Sequence, residues 1–270
     1  MTLGLIFILI FFGSSFTSCV TTPEPSTALN RQFNLEIESR SKTDAQLYLI
    51  GNKDAPHKVI EYIDYECPFC RLYYPKLKSL INTYKTEVSL EIRHFPLSSR
   101  CNEYISRDFH PGSCELAGHG HCAAKKNLFS KHLDFVFTSF SYDVVQASKN
   151  WLLNNGYKKA ELEDCLKNNT TQTHIAKDIK SAGKYDLDFT PAIFIDGRIF
   201  RAELNEHNFE VYLRAARGEE VSIADLDDKN KNSYSGCQPS FDDAKPDAED
   251  LRDMTRLGDC DSEETNRLIK

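Results

Sequence analysis

Apolar and polar positions change their period several times along the chain, and each change marks an element. Residues 3–12 are Leu, Ile and Phe broken only by Gly4, and the first charge after them is Glu24. That run has the length of a signal-peptide core and is short for a membrane span. Residues 20–45 are polar, contain Pro23 and Pro25, and read as a tether. Asp54-Ala55-Pro56 then breaks the chain before residues 58–65, where Val59, Ile60, Tyr62 and Ile63 predict a buried strand. Pro68 stands at a natural helix start, and Leu72, Tyr73, Leu77, Leu80, Ile81 and Tyr84 follow at helical spacing. Residues 88–95 alternate with period two and predict the next strand. From residue 100 to about 183 strand alternation disappears. Helical patterns take its place, such as Leu128, His132, Phe135 and Val136, then Val144, Val145, Trp151 and Leu152. Residues 189–200 regain strand character around an Asp196-Gly197 hairpin turn, and residues 204–217 form a closing helix bounded by Gly218.

Strand, helix, strand, a helical insertion, a hairpin and a last helix predict an α/β fold. Apolar residues at 40% and aromatics at 11% exclude a disordered or collagen-like chain. The net charge of −7 argues against a nucleic-acid partner, which needs a basic face. The acidity is also local. Residues 219–270 hold 15 acidic and 7 basic side chains, so the rest of the chain is nearly neutral. The tail reads as a solvated segment, with docking to a basic partner as its alternative.

Cys19 follows small residues directly after the apolar run. This arrangement resembles the lipobox of bacterial lipoproteins, although Phe16 stands where Leu is usual and no Lys or Arg precedes it. The resemblance implies cleavage after residue 18 and a lipid on Cys19, which would anchor the protein to a membrane in the periplasm or cell envelope. A conventional cleaved signal and an uncleaved anchor through Val20 are the alternatives. Each version exports the chain into oxidising surroundings. With Cys19 set aside, eight of the nine cysteines remain, an even number that fits paired thiols.

Cys67-Pro68-Phe69-Cys70 places two sulfurs one helical turn apart where a strand gives way to a helix. Unpaired N–H groups and the positive end of the helix dipole favour a thiolate on the first cysteine, and the thiolate is the attacking species in disulfide exchange. Cys67 is therefore the expected nucleophile and Cys70 the resolving thiol. Two other readings stand beside this one. The pair could be half of a zinc site completed by His119, His121 and Cys122 or by Cys101 and Cys114, or it could be an inert bridge. His119-Gly120-His121 reads most simply as a solvated loop, and Arg71 and Lys76 as an exposed helix face.

Residues 49–56 (L-I-G-N-K-D-A-P) and 59–70 (V-I-E-Y-I-D-Y-E-C-P-F-C) resemble the opening of DsbA-like thioredoxin-fold thiol:disulfide oxidoreductases. The similarity continues through His94-Phe95-Pro96-Leu97, Cys101-Asn102, His110-Pro111-Gly112-Ser113-Cys114 and residues 189–198, covering about residues 49–217. It implies a thioredoxin-like fold with a helical insertion and thiol–disulfide exchange on protein substrates. It also implies a cis peptide at Thr190-Pro191, beside Pro68 and Phe69 as a substrate-binding surface, and a proton-transfer role for Glu61 beneath the pair. A partly exposed strand residue is the alternative for Glu61, and Phe69 replaces the His of strongly oxidising members. Cys101 and Cys114 are expected to bridge across the insertion, Cys122 and Cys165 to fasten two of its helices, and Cys237 and Cys260 to clip the tail, with a second redox relay as the alternative for these six. No metal or diffusible cofactor is expected. A recycling partner, either quinone-linked in the membrane or thioredoxin-like, is required. Oxidase is the first expectation; reductase or isomerase, or a chaperone-like binding module, are the alternatives. The expected organisation is a signal peptide at 1–18, a tether at 19–48, a catalytic domain at 49–218 and an acidic tail at 219–270.

Overall fold

A computed structural model of the protein describes residues 47–139 and 143–227. Five strands form one mixed sheet: β1 (Leu49–Gly51), β2 (His57–Ile63), β3 (Val88–His94), β4 (Ala192–Ile195) and β5 (Arg198–Ile199). Their spatial order is β1-β3-β2-β4-β5. The pair β2 and β3 runs parallel, with Val59 opposite Leu90 and Glu61 opposite Ile92. The other three pairings are antiparallel. Helix α1 (Pro68–Thr83) makes the crossover that a parallel pair requires. Between β3 and β4 lie α2 (Ser113–Lys125), α3 (Phe129–Thr138), α4 (Val144–Asn154), α5 (Lys159–Lys167) and α6 (Asn169–Gly183), and α7 (Glu206–Ala216) closes the fold.

The hairpin turn forms where Asp196-Gly197 predicts it. Both residues have positive φ, 44° and 80°, as a two-residue turn matched to strand twist demands. Asn205 caps α7 by accepting a hydrogen bond from the Asn208 N–H, and Gly218, with φ 84°, lies just past its end. Beyond it, Val221 is buried against Val211 and Ala215, so the first residues of the acidic segment pack on α7.

The strand expected over residues 88–95 forms as β3, and despite its period-two alternation all seven of its residues are buried. The sheet is covered on both sides, with α1 over the face that carries Glu61 and α6 over the other. Beneath α6 the polar members of the alternation are satisfied internally. Arg93 donates to Glu91 Oε1 at 2.8 Å, to the Ser181 hydroxyl at 2.9 Å and to the Tyr62 hydroxyl at 3.1 Å. Buried charge survives here because it is paired and hydrogen-bonded.

His119 and His121 are likewise not in a solvated loop. They lie in the middle of α2, which packs against α3, α4, α5 and α6, and both are buried. His119 Nδ1 bonds the Ser148 hydroxyl at 3.0 Å, and His121 Nδ1 bonds the Tyr48 hydroxyl. Gly118 and Gly120 weaken the helical signal, but Gly120 is needed there: a Cβ at that position would lie 1.9 Å from the Tyr65 hydroxyl. Residues 1–46 and 228–270, with Cys19, Cys237 and Cys260, lie outside the described residues. Among the described residues no helix is long and apolar enough to cross a membrane.

Candidate active site

The site is built where β2 ends. The Asp64 side chain turns the chain by accepting hydrogen bonds from the Glu66 N–H at 2.7 Å and the Leu97 N–H at 2.6 Å, while its carbonyl accepts from the Cys67 N–H at 3.2 Å. Cys67 is then the N-cap of α1 in extended conformation, with Pro68 at the first helical position. Its side chain makes no capping bond, so the N–H groups of the first turn remain directed at the sulfur. One turn on, Cys70 faces inward. Both are free thiols; Cys67 keeps 3% of its surface exposed and Cys70 none.

The two sulfurs are electrostatically unlike. Cys67 is held at about 6, first by its hydrogen bond with Cys70. Burial opposes this, and Thr190 and the backbone N–H groups of Cys70 and Phe69 add to the stabilisation of the thiolate. Cys70 is pushed well above the ordinary thiol range, chiefly by burial and then by the neighbouring Cys67 and Glu61. Glu61 lies on β2 beneath the pair, fully buried rather than partly exposed, and its two carboxyl oxygens find no hydrogen-bond partner among the described residues. Burial, with the adjacent Cys67 charge, raises it to about 8.

The chain returns to this point at the start of β4. The Thr190–Pro191 peptide is cis, and the Cys67 thiol donates to the Thr190 carbonyl at 3.3 Å. Pro68 and Phe69 are exposed beside it, Phe69 by 52%. The structure therefore brings Cys67, Cys70, Glu61, Thr190, Pro191, Pro68 and Phe69 together. It places the remaining described cysteines elsewhere. Cys101 and Cys114 are joined at 2.03 Å and bracket the loop before α2, and Cys122 and Cys165 are joined at 2.13 Å between α2 and α5. The residues weighed as a second half of a zinc site are thus engaged in disulfides or in the hydrogen bonds of α2. Among the described residues no three His, Cys, Asp or Glu side chains gather as metal ligands. Arg71 is only partly exposed and donates to the Ser139 carbonyl at 2.5 Å, so it latches α1 to the end of α3 rather than lining a free helix face.

Sequence reasoning gives no separate role to two residues that border the site. His110 Nδ1 lies 3.0 Å from Asp64 Oδ2, and Glu66 accepts a hydrogen bond from the Gly112 N–H at 2.7 Å. Both contacts join the Cys101–Cys114 loop to the turn before Cys67. They span more than forty positions, beyond the reach of any local pattern.

Comparison with known proteins agrees with this architecture. A thioredoxin-like oxidoreductase from Silicibacter pomeroyi superposes with a TM-score of 0.53 at 18% identity, over 63% of this chain and 91% of that one. BdbD from Bacillus subtilis, in its oxidised form, superposes with a TM-score of 0.51 at 18% identity, over 65% and 94%. These likenesses establish the fold. A curated relative, Na(+)/H(+) antiporter NhaA 3 of Salinispora tropica, is 27% identical over 152 residues, which is 55% of this chain but only 21% of that protein. The thioredoxin family model matches residues 42–215, from before β1 to the end of α7, and the chain belongs to that family.

Proposed function

We propose that the protein exchanges thiols and disulfides with exported protein substrates, and that it runs in the oxidising direction. The observation that carries this reading is the division of labour within one helical turn: an ionised Cys67, a sealed and protonated Cys70, and a protonated carboxyl beneath them.

In the oxidising direction a substrate thiolate attacks Cys67 Sγ of the Cys67–Cys70 disulfide. The S–S bond breaks, the electron pair leaves on Cys70, and Glu61 supplies the proton that this buried sulfur requires. A second substrate thiolate then attacks the substrate sulfur of the mixed disulfide and expels Cys67, which leaves readily as a stable thiolate. The substrate has lost two electrons and gained a disulfide, and the pair ends as the thiolate–thiol form. A recycling partner, quinone-linked or thioredoxin-like, must take those electrons away. Pro191, Thr190, Pro68 and Phe69 form the surface along which substrate chain would lie.

The direction follows from which form is stabilised. At pH 7 a thiol near 6 is mostly ionised, which favours the reduced pair by about 1.4 kcal/mol, or about 30 mV. A stabilised reduced form makes an oxidant. That ionisation moves the potential about 30 mV from the reductant end of the range, about −270 mV, towards the oxidant end, about −120 mV, and the oxidising direction predicts a value measured against glutathione above the reductant end. A value at the reductant end would reverse the direction. The wider organisation belongs to the same proposal: signal peptide at 1–18, lipid on Cys19, tether to residue 48, catalytic domain at 49–218 and acidic tail.

The exchange reading is tested with Cys70→Ser. Without the resolving thiol, Cys67 is expected to accumulate mixed disulfides with protein substrates, seen as adducts that reductant releases. If Cys67 in this variant forms no adduct with a disulfide-bonded protein, the pair is structural or belongs to a binding module.

A further inference from the structure

Phe69 places an uncharged ring between the two cysteines, and two acidic residues, Asp64 and Glu66, precede the nucleophile by three positions and one. Their charge disfavours a thiolate on Cys67. The disulfide-bracketed loop brings a counterweight. His110 approaches Asp64 Oδ2 to 3.0 Å and remains partly open to solvent, with 22% of its side chain exposed. It is fixed from three directions. Its N–H donates to the Leu97 carbonyl at 3.1 Å, its carbonyl accepts from the Ser113 N–H and hydroxyl at 3.1 and 2.8 Å, and the next turn is held by the Gly112–Glu66 bond. Asp64 in turn accepts the Cys67 N–H through its carbonyl at 3.2 Å, so His110 stands one residue removed from the reacting thiol.

We infer that His110 is a positioning residue for thiol–disulfide exchange, supplying from a distant loop the positive charge that offsets Asp64 and Glu66 and keeps Cys67 ionised. The inference rests on the exchange reading above and names a residue that reading does not use. The groups facing His110 are Asp64, Glu66 and Cys67. On its own loop Arg100 and Asp108 pair with each other at 2.7 Å. Burial works against protonation of the ring, and the carboxylate of Asp64, followed by Cys67 and Glu66, outweighs it, so the imidazolium persists above its ordinary range. The sign follows: with its ionisation raised, His110 carries more positive charge where Cys67 ionises than a free imidazole would. The groups facing Cys67 are Cys70, Glu61 and His110.

The test titrates the Cys67 thiolate by its ultraviolet absorbance in the full reduced protein and in His110→Asn and His110→Lys. His110→Asn is expected to move the midpoint upward by about half a pH unit, a roughly threefold loss of thiolate below the midpoint. His110→Lys, which keeps the charge, is expected to restore most of it. A purely structural His110 would lower thermal stability without moving the midpoint. An unmoved midpoint in His110→Asn overturns the inference and leaves the exchange reading intact, as does an equal shift in both variants. A wild-type midpoint at or above 8.5 overturns both.

Discussion

Acidification from pH 6.5 towards 4 is expected to destabilise the folded protein by several kcal/mol. Three buried histidines cause it. Burial is the first cause at each, and neighbouring cationic groups add to it; His119 is held down to about 4, His121 to about 3 and His132 to about 3. In the unfolded chain each takes a proton near pH 6.5. Between those values the unfolded state binds more protons than the folded one, so stability falls as pH falls, by up to about 1.4 kcal/mol per histidine per pH unit. Glu61 acts in the opposite sense. Its folded value of about 8 lies above the ordinary carboxyl value of 4.5, so its contribution grows as pH falls from 8 to 4.5 and offsets about one of the three histidines. Urea unfolding midpoints measured across this range should decline steadily. His132→Gln should flatten the decline, because its partner, the Ser148 hydroxyl at 2.7 Å from Nε2, can still be bonded by an amide. Stability that stays level from pH 6.5 to 4 would show that these histidines do not remain neutral in the fold.

Glu61→Gln is expected to slow turnover about a hundredfold, the lower end of what a positioned proton donor contributes. The amide preserves the volume beneath the pair and cannot transfer a proton to or from Cys70. The loss should fall on the first step, attack at Cys67 with departure of Cys70, which takes the proton, while release of the oxidised substrate from the mixed disulfide stays close to wild type. A second readout separates this from misfolding. Wild-type Glu61 must be held protonated against its ordinary value, which costs stability increasingly between pH 4.5 and 8. Glu61→Gln should therefore unfold at a higher denaturant concentration than wild type at pH 8. Unchanged kinetics of mixed-disulfide formation would remove Glu61 from the mechanism.

What could be read from the chain, and what could not, divides by the range of the interactions concerned. The β2–α1–β3 unit, the cysteine pair at its junction and the Asp196-Gly197 turn are written in contiguous residues, because strand period, helix spacing and turn conformation are local properties. The seven buried positions of β3 were hidden because alternation reports one face only. Glu91 and Arg93 look like solvent-facing residues until α6, nearly ninety positions later, supplies the Ser181 hydroxyl. His119-Gly120-His121 misled for a related reason. Glycine usually signals a break, and here it admits the Tyr65 ring into a packed helix. The contact between His110 and Asp64 depends on how the Cys101–Cys114 loop folds back, and nothing in the spacing announces it.

The most direct test of the account is the alkylation rate of reduced protein against pH, with the modified residue mapped by mass. The rate should follow a single ionisation near pH 6, and the label should fall on Cys67 while Cys70 stays unmodified through neutral pH. A midpoint at 8.5 or above, or equal labelling of both sulfurs, would contradict it.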